Sequence, residues 1–260
     1  MGALHAGHAR LVELGAMRPE ASRSGVVVSV FVNPTQFNDP GDLARYPRTL
    51  ETDMELCRAA GADVVFAPAI ESVYPHGANA EPMALPAVAT QPGLEDAHRP
   101  GHFAGVCQVV KRLFDLVRPS AAMFGEKDWQ QLQVIHAMVA QEGLPVEIVP
   151  VETVREADGL AMSSRNVFLP AEDRVRARSL SAALCEACAA ANVADAQRRM
   201  EAILSGAGAS VEYAVVRDAA TLMPLPTGAH GGGGGRGRTL IAARVGKVRL
   251  IDNAAWSAAG

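Results

Sequence analysis

Apolar residues recur at two different periods along the chain, and the points where one period replaces the other mark its turns. Leu11, Val12, Leu14 and Met17 fall at helical spacing, so a helix is predicted to begin at the end of the opening stretch Met1-Gly-Ala-Leu-His-Ala-Gly-His8. Gly25-Val-Val-Val-Ser-Val-Phe-Val-Asn33 is an almost unbroken β-branched run, the pattern of a strand buried on both faces of a parallel sheet. A helix from about Leu50 to Ala60, closed by Gly61, precedes a strand over Asp63–Pro68. A helix over Phe103–Val117, a short strand Ala121–Gly125, a helix Trp129–Glu142 and a strand Glu147–Thr153 come next, with Pro150 marking an edge or a bulge. Strands and helices that alternate in this way predict a doubly wound parallel α/β sheet. Between Tyr74 and Pro100 the periodicity fades into proline, glycine and alanine, and so long an irregular stretch often covers a site.

Beyond Asn166 the pattern changes. Alanine-rich helices are predicted over Ala171–Ala190 and Asp195–Leu204, and short strands over Val211–Arg217, Thr239–Val245 and Val248–Ile251. This is an α+β pattern, so two domains are expected, 1–166 and a smaller 167–260. His230 and the five glycines Gly231 to Gly235 precede a strand, whereas a phosphate-cradling loop leads into a helix; the run reads as a flexible surface insertion.

Composition narrows the function classes. The net charge of −4 lacks the general electrostatic footprint of a nucleic-acid binder. No run approaches the roughly 18–20 apolar residues of a membrane span, and a helix entry occupies the place of a signal peptide. Cys185 and Cys188 form a Cys-x-x-Cys pair inside an alanine-rich helix with no second ligand pair nearby, which favours a structural role over zinc or redox work. A reducing cytoplasm is therefore expected.

The candidate chemistry gathers at strand ends and helix starts. His5 and His8 sit where first-turn amides lack intrahelical partners and the helix dipole is positive, and Gly7 lets an anion approach the backbone. Phosphate binding fits this stretch; an incomplete metal site and a chance pairing are the alternatives. Asn33 and Gln36 follow the carboxyl end of a strand, the edge where α/β sheets take ligands, although turn chemistry explains Asn33 equally well. Asp53 reads as a magnesium-linked carboxylate or as a solvated helix residue. Arg99 and His102 stand at the mouth of the helix Phe103–Val117. Gly125, Lys127 and Asp128 converge on a strand-to-helix turn, where an ammonium suits phosphate and a carboxylate suits ribose; an N-capping Asp128 is the plainer reading. Gln131 is expected to face the same crevice as Gln36, and Met162-Ser-Ser-Arg165 is a loop able to close over a polyphosphate.

Six stretches, in order, resemble the pantothenate synthetase (pantoate–β-alanine ligase) family. They are Met-Gly-Ala-Leu-His-Ala-Gly-His, Phe-Val-Asn-Pro-Thr-Gln-Phe, Ala-Arg-Tyr-Pro-Arg-Thr, Arg-Pro-Gly-His-Phe-Ala-Gly-Val, Phe-Gly-Glu-Lys-Asp-Trp-Gln-Gln and Asp-Gly-Leu-Ala-Met-Ser-Ser-Arg-Asn, and the likeness runs from Met1 to about Trp256. The paired histidines and Met-Ser-Ser-Arg also look like the two signatures of the wider HIGH-motif nucleotidyltransferase and class I synthetase group. The resemblance implies a Rossmann-like domain binding ATP and pantoate, a C-terminal lid domain and a cytoplasmic homodimer. It implies magnesium-dependent condensation of pantoate with β-alanine through a pantoyl adenylate, with release of AMP and pyrophosphate, and neither a nucleic-acid nor a membrane partner.

Carried to this sequence, the resemblance places His5 and His8 on the phosphates, with His8 the acid or transition-state donor. Lys127, Ser163, Ser164 and Arg165 hold the triphosphate, and Gly125, Asp128, Val154 and Met162 line the adenosine. Met1, Gly2, Ala3, Leu4, Gly7 and Glu126 complete the nucleotide set; Gln36, Gln131 and Asn33 take pantoate, and Asp53 takes magnesium. In the family the histidine motif follows a central strand ending in Pro-Thr. The sequence is thus expected to start at an internal methionine, with roughly 30–40 residues upstream, about one strand–helix unit. The alternative function is a catalytically silent nucleotide-binding remnant.

Overall fold

The computed structural model describes residues 2–36, 40–46, 48–77, 83–227, 229 and 237–256. Met1, an expected nucleotide contact, and the glycine run 231–235 lie outside the described residues. Contacts divide the chain into two compact units, Met1–Glu126 with Gln130–Glu152, and Lys127–Trp129 with Thr153–Gly260.

In the first unit helices alternate with parallel strands. Helix α1 (Ala6–Ala16) is followed by β1 (Val27–Ser29), α2 (Leu50–Ala59) and β2 (Val64–Phe66). Helix α3 (His102–Val117), β3 (Ala121–Gly125), α4 (Trp129–Glu142) and β4 (Glu147–Val151) come after them. Strand β1 pairs in parallel with β2, Val27 opposite Val64, and β3 with β4, Ala121 opposite Glu147. The parallel strands therefore form two two-stranded ladders. Helix α1 packs over both: a Cβ on Gly15 would lie 3.7 Å from Val26 and 3.9 Å from Met123.

The structure corrects one expectation in this unit. The apolar run from Gly25 to Asn33 forms a ladder over three residues only, and of these Val28 is buried while Val27 is 41% exposed. Composition alone implies burial on both faces, but a strand in a two-stranded ladder lacks the neighbours that provide it. Helix α1 forms where the spacing predicts it, with Met17 its C-cap residue, 71% exposed, and Val12 its buried residue. Helix α2 ends as expected, with Ala60 capping and Gly61 at φ 94°, a conformation that favours glycine. Pro150 sits on β4, which pairs with β3 alone among the described residues, so a missing donor is tolerated there.

The second unit is a three-stranded antiparallel sheet, β5 (Ser210–Asp218), β6 (Gly237–Val245) and β7 (Val248–Trp256), in the order β5-β6-β7. Helices α5 (Ala171–Ala177), α6 (Ser179–Cys188) and α7 (Val193–Gly206) precede it. The single helix expected over Ala171–Ala190 is broken at Arg178, and β7 runs past Ile251 to Trp256. Leu180, Leu184, Met200, Leu204, Ile241 and Trp256 form the core, and the Trp256 indole donates to the Ala187 carbonyl at 3.0 Å. The β6–β7 turn requires glycine: Gly246 has φ 57°, and a Cβ there would lie 2.1 Å from an Asp173 oxygen.

Residues 153–166 belong by contacts to this second unit, so the division falls ahead of the boundary expected after Asn166. One interaction ties this segment to the sheet. Arg155 makes a bidentate pair with the buried Asp252 on β7, at 2.7 and 3.0 Å.

Leu204, fully buried, is expected to leave a cavity on truncation. Leu204→Ala should lower the unfolding free energy by about 2–5 kcal/mol in a urea titration followed by tryptophan fluorescence; a loss under about 1 kcal/mol would show that the site collapses without cost. The cysteines should also differ. Burial, reinforced by the Glu142 charge, pushes the Cys107 thiol up to about 12, while Cys185 is exposed. Iodoacetamide at mildly alkaline pH is expected to label Cys185 in the native protein, and Cys57 and Cys107 only after unfolding; native labelling of Cys107 would contradict the packing.

Candidate active site

The opening loop is built around its two histidines. His5 is the N-cap of α1, and its Nδ1 accepts from the Gly7 amide at 3.2 Å; His8 Nδ1 accepts from the His5 amide, also at 3.2 Å. The two rings therefore form a reciprocal capping box, with centroids 4.1 Å apart. A ring nitrogen that accepts a hydrogen bond carries no proton, so each neutral imidazole has its proton on Nε2. The result is a pair of Nε2–H donors at the positive end of an eleven-residue helix.

Asp53 holds this loop in place. Its carboxylate, 2% exposed, accepts from the Ala3 amide at 3.1 Å, the Leu4 amide at 2.7 Å and the Thr49 hydroxyl at 3.1 Å. Ala3 has φ 50°, a left-handed conformation that an alanine adopts only when its surroundings fix it. Close packing fixes the residue before it, because a Cβ on Gly2 would lie 3.1 Å from Val32. Both Asp53 oxygens accept from donors within the fold, Oδ1 from two and Oδ2 from one, so this carboxylate shapes the histidine loop. No cluster of three or more metal-ligating side chains occurs among the described residues.

The expected pantoate residues divide into scaffold and candidates. Asn33 is buried; its Nδ2 donates to the Gly105 carbonyl at 3.1 Å, and its Oδ1 accepts from Tyr74 at 2.8 Å and from the Thr35 hydroxyl at 3.1 Å. Asn33 thus ties the loop after β1 to α3, where a Cβ on Gly105 would lie 2.6 Å from the Thr35 carbonyl oxygen. Burial pushes the Tyr74 phenol up, against the opposing effect of its hydrogen bonds to Thr35 and Asn33. Gln36 ends a 3₁₀ turn, Pro34–Gln36; its backbone carbonyl accepts from Arg99 at 3.3 Å and from His102 Nδ1 at 3.1 Å. The side chains of Gln36 and Gln131 are both half-buried. The adjacent Gln130 is different: it is buried, accepts from the Glu95 amide at 2.9 Å and donates to Val88 and Asp96 at 3.0 Å, pinning the irregular stretch before α3.

Gly125 closes β3 with open space around it, since a Cβ there would meet nothing within 4 Å. Glu126, Lys127 and Asp128 form a 3₁₀ turn, and the Lys127 ammonium lies 3.5 Å from Asp128. In the second unit the Met162 amide donates to the Val154 carbonyl at 2.9 Å, which brings those two expected adenosine contacts together. Ser163 then caps a 3₁₀ turn, Ser164–Phe168, its hydroxyl accepting from the Arg165 amide at 3.3 Å. Asn166 donates to Glu156 at 2.6 Å and to the Ala161 carbonyl at 3.0 Å, and Glu156 pairs with Arg174. Sequence reasoning missed these supporting residues. Their visible signals were a charged pair, Arg155-Glu156, ahead of the Met-Ser-Ser-Arg loop, and Asp252-Asn253 interrupting an apolar strand.

His5, His8, Asp53, Gln36, Gln131, Gly125 and Glu126 thus lie in the first unit, and Lys127, Asp128, Val154, Met162, Ser163, Ser164 and Arg165 in the second. A parallel α/β unit with imidazoles at a helix N-terminus, followed by a small α+β unit carrying a Met-Ser-Ser-Arg loop, is the build of a nucleotide-using synthetase. The chain belongs to the pantoate-beta-alanine ligase family, whose model matches residues 1–255. It is 50% identical over 264 residues to a pantothenate synthetase of Nocardioides sp. (strain ATCC BAA-499 / JS614), covering 97% of this chain and 76% of that protein. The crystal structure of pantothenate synthetase from Thermus thermophilus matches with TM-score 0.87 at 44% identity, covering 98% of this chain and 90% of that one. A pantoate-beta-alanine ligase from Francisella tularensis, complexed with beta-gamma ATP and beta-alanine, matches with TM-score 0.76 at 31% identity, covering 98% of this chain and 87% of that one. The chain is an enzyme of this family, and the remnant reading is not favoured.

Asp53→Asn keeps the shape of the side chain but sets an N–H against at least one loop donor. It should lower stability by about 1–3 kcal/mol in thermal unfolding, equally with and without added Mg2+. An unchanged melting temperature, or a loss seen only with Mg2+ present, would contradict the role assigned to this carboxylate.

Proposed function

We propose that the chain condenses pantoate with β-alanine at the expense of ATP, through an acyl adenylate. The observation that carries this reading is the reciprocal cap of His5 and His8, which uses Nδ1 of each ring as acceptor and so puts the proton of each neutral ring on Nε2 at the start of α1. A carboxylate is a poor acylating agent. Its oxygen first attacks the α-phosphorus of ATP and pyrophosphate leaves; the β-alanine amine then attacks the acyl carbon and AMP leaves.

Charge moves onto phosphate oxygens in the first step, so preorganised donors are the main protein contribution. In this reading His8 donates to the phosphate whose charge grows, and His5 supports it. Lys127, Ser163, Ser164 and Arg165 hold the triphosphate, and Gly125, Glu126, Asp128, Val154 and Met162 surround the nucleoside. The open space over Gly125 supports a close approach there. Gly2, Ala3, Leu4 and Gly7 shape the phosphate end, the amides of the last three being engaged within the loop by Asp53 and His5. Gln36 and Gln131 orient pantoate through uncharged amides, which suit a small hydroxy acid better than a phosphorylated acceptor. Asn33 serves this site by holding the loop that carries Gln36.

Magnesium accompanies ATP in the family likeness, with Asp53 the carboxylate that the likeness offers it, and no step is routed through it. The lid role of the C-terminal unit, the homodimer and the cytoplasmic location belong to the same proposal. All four cysteines are free thiols, in keeping with a reducing compartment. No helix among the described residues is long and apolar enough to cross a membrane.

Pantoate-dependent exchange between ATP and pyrophosphate tests the reaction. Exchange that requires pantoate is expected, whereas ATP binding without exchange would refute the assignment. His8→Ala should cost about 2.7–4 kcal/mol of activation free energy, by analogy with removal of one oxyanion donor. A fall of less than about tenfold in exchange rate would rule out His8 as the donor to the growing charge.

A further inference from the structure

The segment Lys127–Trp129 belongs by contacts to the second unit, although the residues on either side of it, Glu126 and Gln130, belong to the first. Three interactions fasten it. Asn253 on β7, 3% exposed, donates from Nδ2 to the Lys127 carbonyl at 2.8 Å. Arg238 on β6, 7% exposed, donates from Nε to Asn253 Oδ1 at 2.7 Å, which fixes which way the Asn253 amide faces. The guanidinium of Arg238 also stacks on Trp129, 3.6 Å from the ring centroid, and the Trp129 indole donates to the Ala219 carbonyl at 2.8 Å.

A buried asparagine on a sheet strand is costly unless both ends of its amide are used. In this protein one end takes Arg238 and the other grips the backbone of the lysine itself.

We propose that Asn253 and Arg238 are positioning residues for the Lys127 ammonium, clamping its backbone to the C-terminal unit so that the cation is carried by the unit that bears Ser163, Ser164 and Arg165. The inference rests on the reading that Lys127 holds the triphosphate. Lys127 is then one of a phosphate-binding set borne by one body, and its chain connections to Glu126 and Gln130 act as tethers to the other. The geometry of the ammonium depends on two residues more than a hundred positions away in the chain.

Asn253→Asp separates this role from a purely structural one. The carboxylate keeps the size of the side chain and its bond from Arg238, but it sets an oxygen against the Lys127 carbonyl and breaks the clamp. Thr239→Val serves as comparator, because the buried Thr239 hydroxyl donates to the Ala254 carbonyl on the same pair of strands, away from the segment. Two readouts are taken. In the exchange assay Asn253→Asp should raise KM for ATP about five- to tenfold, the effect of one lost positioning bond, with KM for pantoate changed less than twofold. Combined with Lys127→Ala it should add less than a twofold further loss. In native digestion with a protease specific for lysine, Asn253→Asp and Arg238→Lys should speed cleavage after Lys127 at least fivefold, and Thr239→Val should not. Equal effects of Asn253→Asp and Thr239→Val, or losses that multiply with Lys127→Ala, would overturn the proposal. Should the wild type show no pantoate-dependent exchange, the functional reading fails, and the cleavage rates still decide whether the clamp exists.

Discussion

Two backbone amides and a hydroxyl converge on one buried carboxylate, and the histidine loop takes its shape from that convergence. The Ala3 and Leu4 amides and the Thr49 hydroxyl all donate to Asp53, so a group that would be costly to bury alone is satisfied where it stands. In return the loop is held with Ala3 at φ 50°, a strain of about 1–2 kcal/mol for an alanine. His5 enters the helix in the extended conformation of an N-cap, and the two imidazoles close on each other's backbone. The donors at the helix start depend on this arrangement, because a loop free to relax would leave the tautomers and directions of both rings undefined.

The second constraint is the distribution of chemistry between two units. The imidazole pair and the two candidate glutamines belong to one, and the Met-Ser-Ser-Arg loop to the other. Within the second unit the functional loop is supported by charge pairs that reach into the sheet: Arg155 to Asp252, and Glu156 to Asn166 and Arg174. The same strand β7 supplies Asn253, so one strand braces both the serine–arginine loop and the lysine turn. A reaction that builds charge on phosphate gains from donors fixed in this way, because nothing has to reorganise as the charge develops.

Much of the architecture was legible in the sequence, since helical period and turn residues are local signals. Helix α2 and its stop at Gly61 follow from spacing and from one glycine. The signals failed where the outcome depends on distant neighbours. Valine after valine from Val26 onward says that a strand is apolar, not how many strands flank it, so β1 is shorter and less buried than expected. Asp252 and Asn253 made β7 look finished at Ile251, yet they are the polar residues that the buried strand needs for Arg155 and Lys127. Asp53 shares a helix face with the buried Cys57, an i, i+4 hint that the carboxylate points inward, but its partners Ala3 and Leu4 lie some fifty residues earlier. Asn33 shows the same limit. An amide beside a candidate site looks like a ligand group until Tyr74 and Gly105 are seen to occupy it.

The direct measurement is of the imidazole nitrogens themselves. In protein labelled with 15N-histidine, long-range proton–nitrogen correlation reads the tautomer of each ring. The account predicts that neutral His5 and His8 both carry the proton on Nε2, and that ATP shifts those Nε2 resonances while both Nδ1 atoms remain acceptors. A proton on Nδ1 of either ring, or Nε2 signals indifferent to ATP, would contradict it.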